Sequence, residues 1–175
     1  MTYRRLSSPA VRSDSMDVEL RYRTELADQF IARLERMSTE QWRDVVANHR
    51  NDNAYYRFAL ELATEATQLL GGERVERYES ALAERASRVH EVVRRGAADA
   101  SEEMSTVAES LAIAAVHALM LRDRYGFNAG AYGELIRPFR PHVDLSDVER
   151  AATKVVTPPS SPRQPPPDPS PDVRR

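Results

Sequence analysis

The chain has 175 residues, 41% of them hydrophobic and none of them cysteine. That is long enough for one domain with its own core, and it removes disulfides, thiolate metal sites and cysteine nucleophiles from consideration. Its 25 basic and 27 acidic residues leave a formal net charge of -2, so no bulk charge draws it to nucleic acid or to an anionic membrane.

Residues 1–14 hold Arg4 and Arg5 but lack the apolar stretch of a signal peptide, and are read as a flexible lead. Lys154 is the only lysine, an arginine bias that fits the codon usage of a GC-rich bacterial genome. The absence of cysteine fits a reducing compartment, and the expected setting is the cytoplasm.

From Ser15 the apolar residues fall at helical spacing and nowhere alternate as a strand would. Leu26, Phe30, Leu34 and Met37 form one stripe and predict a first helix over 15–37. Ser38 followed by Gln41 is a capping-box pattern that opens a short helix carrying Trp42, Val45 and Val46. A third helix is expected over 53–70, with Phe58, Leu62, Ala66 and Leu69 on one side, stopping at Gly71 and Gly72.

Over 73–95, Val75, Tyr78, Leu82, Val89 and Val92 keep a heptad-like spacing, and Arg85 stands where one apolar residue is missing. After the breaker RRGAADA, a helix over 101–125 is led by Glu102 and Glu103, which suit its positive end, and pairs with the preceding helix as an antiparallel hairpin. Its run Leu111–Leu121 is apolar nearly all round. Eleven residues fall short of the roughly 20 that a membrane span needs, so the run is assigned to the core. Ser146 with Glu149 repeats the capping-box spacing and predicts a last helix over 147–155.

These elements predict an all-α fold: a single bundle of five or six helices over 15–155. Residues 156–175 form an expected disordered tail, because the sequence from Thr157 carries eight of the 11 prolines. Its P-x-x-P spacings, such as Pro159 to Pro162, are of the kind that docks in aromatic grooves.

From the charged end of the 101–125 helix toward the last helix runs RDRYGFNAGAYGELIRPF, Arg122–Phe139. Tyr125, Phe127, Tyr132, Ile136 and Phe139 gather there as the candidate interaction surface, or as the aromatic cap of the bundle's end, which is the preferred reading. The alternative is a degenerate helix-turn-helix over 119–139, with Arg122, Arg124, Arg137 and Arg140 as candidate phosphate contacts. Against it, a reading helix over 128–137 would contain Gly130 and Gly133 and meet Pro138 after two turns.

Catalytic spacings are lacking. His49, His90, His117 and His142 carry neither Glu-x-x-His nor His-Glu-x-x-His. His117 reads as a hydrogen-bonded core histidine, with His90 on the neighbouring helix as a candidate companion. Glu73, Glu76 and Glu79 have the E-x-x-E spacing with which all-α nucleotide pyrophosphohydrolases hold magnesium, but no E-x-x-D follows on the 101–125 helix.

The expectation is a non-enzymatic helical interaction or regulatory module, with no cofactor or metal and no membrane. Its partner would be a protein, another copy of the chain included, with nucleic acid not favoured. A helical enzyme whose site assembles from distant residues is the second alternative.

Overall fold

A computed structural model describes residues 9–49, 73–121 and 133–157. Every element among them is helical: α1 (Pro9–Leu34), α2 (Thr39–Asn48), α3 (Glu73–Gly96), α4 (Glu102–Leu121), α5 (Gly133–Ile136), a 3-10 turn (Arg137–Phe139) and α6 (Leu145–Val156). The helix expected over 53–70, its Gly71-Gly72 stop and the Pro-rich tail lie outside the described residues, apart from Val156, which ends the last helix rather than starting the tail, and Thr157.

The helix α1 starts six residues before the expected Ser15, so part of the expected lead is helical. Its buried stripe of Tyr22, Leu26, Ala27, Phe30, Ile31 and Leu34 follows the three- and four-residue steps. The helix closes three residues before Met37, in a tightened turn where the Met37 amide donates to the Leu34 carbonyl at 3.1 Å.

Ser38 then caps α2 with both halves of the capping box formed. The Gln41 amide donates to Ser38 Oγ at 3.2 Å, and the Ser38 amide donates to Gln41 Oε1 at 2.9 Å. Trp42 and Val45 turn into the core.

Helices α3 and α4 pack against each other across a five-residue connection, and His90 Nδ1 meets Glu109 Oε2 at 3.0 Å, near the end of one and the start of the other. The hairpin is therefore antiparallel. Tyr78, Val89, Val92 and Val93 line the buried side of α3. Its odd member, Arg85, is 9% exposed and reaches α1, donating through Nη2 to Asp28 Oδ2 at 2.9 Å. Arg88 takes the other oxygen, Asp28 Oδ1, at 2.6 Å. Arg85 also donates through Nη1 to the Ala81 carbonyl at 3.0 Å. The polar residue in the apolar stripe is thus a fastener between two helices, because a nearly buried guanidinium needs a carboxylate and most of its hydrogen bonds made.

The most apolar of the described helices, α4, buries Ala108, Leu111, Ala112, Ala115, Val116 and most of its last turn. At 20 residues it is long and apolar enough, by length and composition, to cross a membrane, and half of its most apolar stretch is buried by the rest of the fold. Its alanines permit close approach, and α1, α2, α3 and α5 all contact it.

The last helix, α6, lies along α1, burying Val148 and Ala152, and Arg33 Nη2 donates to Asp147 Oδ2 at 2.7 Å. That guanidinium holds the Asp147 carboxyl below its ordinary range. The cap of α6 is Asp144 rather than Ser146: Asp144 Oδ1 accepts from the amides of Ser146 at 2.9 Å and Asp147 at 3.4 Å. Asp144 has the extended backbone that a cap requires, whereas Ser146 is already inside the first turn.

Candidate interaction surface at the 133–146 corner

Between α4 and α6 the described chain turns a corner built on one proline. Pro138 lacks an amide hydrogen and its ring crowds the preceding turn, so α5 ends at Ile136 and the chain tightens into the 3-10 turn. Leu135, Ile136, Pro138 and Phe139 point inward. The Phe139 ring stands edge-on to Phe30 at 5.3 Å and to Trp42 at 6.1 Å between centroids, joining the ends of α1 and α2.

Two polar links fasten the corner to α2. Arg137 donates through Nη2 to the Asn48 carbonyl at 3.0 Å, filling one of the free acceptors at that helix end, and through Nε to Glu134 Oε2 at 3.1 Å. His142 Nε2 meets Asp44 Oδ2 at 2.6 Å. The amides of His142 and Val143 both donate to the Phe139 carbonyl, at 3.0 and 2.8 Å. The turn from Arg140 to Ser146 lines a shallow, open depression of about 560 Å³, with Arg140, Pro141, Asp144 and Ser146 exposed there and Val143 buried in the core. Arg140 is exposed, and its guanidinium lies over Gly133, where an added Cβ would come within 3.3 Å of Nη2.

Of the residues singled out from the sequence, Ile136 and Phe139 are buried and present no surface to a partner. Phe139 instead fills the space between α1 and α2. Tyr125, Phe127, Tyr132, Arg122 and Arg124 lie outside the described residues. Of the two described arginines, Arg137 is committed to Asn48 and Glu134, and Arg140 is exposed.

The histidines have separate surroundings. His90 pairs with Glu109 at the surface. His117 faces Tyr78, with ring centroids 5.7 Å apart, and its carbonyl accepts from the Tyr78 hydroxyl at 3.4 Å. Among the described residues, His117 Nε2 is buried with no hydrogen-bond partner, so the expected bond is not made at that atom. Burial lowers the His117 pKa, which keeps the ring neutral, and pushes the Tyr78 phenol far above its usual range against the opposing pull of Arg23. Among the described residues, no three His, Asp or Glu side chains gather as metal ligands.

Sequence reasoning passed over Asp28 and Asp147, each of which fastens one helix to another, and Asp44, which ties the corner to α2. Only Arg85 signalled such a link, as a charge in an apolar register. The chain matches no protein-family model, no curated protein and no solved structure.

Proposed function

We propose that this chain is a non-enzymatic interaction module: one helical bundle from α1 to α6 that offers the Arg140–Ser146 face of the corner to a protein partner. The Pro-rich sequence after Thr157 supplies a recruiting tail. The observation that carries this reading is the construction of the corner, an open depression braced from beneath by Phe139 and from the side by Arg137 and His142. A preorganised surface of this kind binds without first losing conformational freedom. The inter-helix roles of Arg33, Arg85 and Arg137 support it further, since each charge is spent on holding helices together rather than on activating a reactive group.

The test places a photo-crosslinking side chain at Arg140 or Ser146 of the full chain in its native cell, with Glu84 on the exposed side of α3 as the reference position. A discrete adduct from the corner positions, absent from Glu84 and lost in Arg140→Glu when the crosslinker is at Ser146, is expected. Equal labelling from all three positions would refute the assignment. Salt-sensitive duplex binding abolished by Arg140→Ala would replace it with the DNA-binding reading.

A further inference from the structure

We draw no further inference here: the strongest candidate, the side-chain cluster of Arg23, Tyr78 and His117 buried among α1, α3 and α4, leaves His117 Nε2 without a partner, but nothing in the structure shows what would occupy the place beside it, and Arg23 is already drawn to Glu19 at 3.5 Å.

Discussion

Cutting Phe139 to alanine removes the ring that joins the ends of α1 and α2 at the corner. A buried phenylalanine truncated to alanine costs about 3 to 5 kcal/mol, of which each edge-on ring contact accounts for about 0.5 to 1.5 kcal/mol. Phe30 and Trp42 are themselves fully buried on two different helices, so neither ring can move far to fill the space. The loss is therefore expected in the upper half of that range, about 4 to 5 kcal/mol. For a chain of this length it corresponds to a fall in Tm of roughly 8 to 20 °C. Urea unfolding followed by far-ultraviolet circular dichroism measures the loss, and Trp42, the only tryptophan, reports locally through a red shift of its emission. Phe139→Leu, which keeps most of the apolar volume, should lose less than half as much, and Arg137→Ala about 1 kcal/mol. A loss below about 1 kcal/mol for Phe139→Ala, with Trp42 emission unchanged, would refute the packing argument for the corner.

Gly96→Ala tests a close approach, since the new Cβ would lie 2.8 Å from Nε1 of the buried Trp42. Helix propensity alone favours alanine by about 1 kcal/mol, so a net loss of about 1 kcal/mol or more in urea unfolding identifies the clash, and a gain disproves it. Asp28→Ala strands the nearly buried Arg85 and should cost about 2 kcal/mol. The double variant Asp28→Ala with Arg85→Leu should recover part of that in the same assay, and a purely additive double variant would show that the pair does not couple. The folded-state pKa of His117 is lowered from 6.5, so its protonation favours the unfolded chain. Its contribution is complete above that value and falls away as the pH drops through it toward the lowered folded value. Unfolding free energies of the wild type and His117→Leu measured from pH 7.5 to 5 should diverge below about pH 6.5, the wild type losing more; parallel curves would place the ring in water.

What was legible in the sequence is what repeats along it. The stripe through Leu26, Phe30 and Leu34, the capping box at Ser38 and Gln41, and the apolar run Leu111–Leu121 each declare themselves within a few residues. Choices between close competitors were harder. Asp144 and Ser146 are both good caps two residues apart, and only the extended backbone at Asp144 decides between them. Least legible were partnerships across the chain. Arg85 stood out as an anomaly, but nothing near Asp28 marks it as the answer 57 residues away. Arg137 looked like a phosphate contact because its acceptor is the backbone carbonyl of Asn48, and a carbonyl leaves no trace in residue identity.

The placement of α4 also bears on how the protein emerges from the ribosome. A helix apolar enough to resemble a membrane segment is a hazard while nascent, because it can be captured by targeting factors or by other unfinished chains. Two of the helices that cover it, α1 and α3, precede it in synthesis, and α3 connects to it by five residues. The covering surface is therefore already outside when Leu111–Leu121 appears, and the hairpin can close over a short loop at little entropic cost. Among the described elements only α5 and α6 come afterwards; α5 adds a small part of the cover and α6 docks on α1. The order of helices along the chain thus shortens the interval in which the most apolar one stands uncovered.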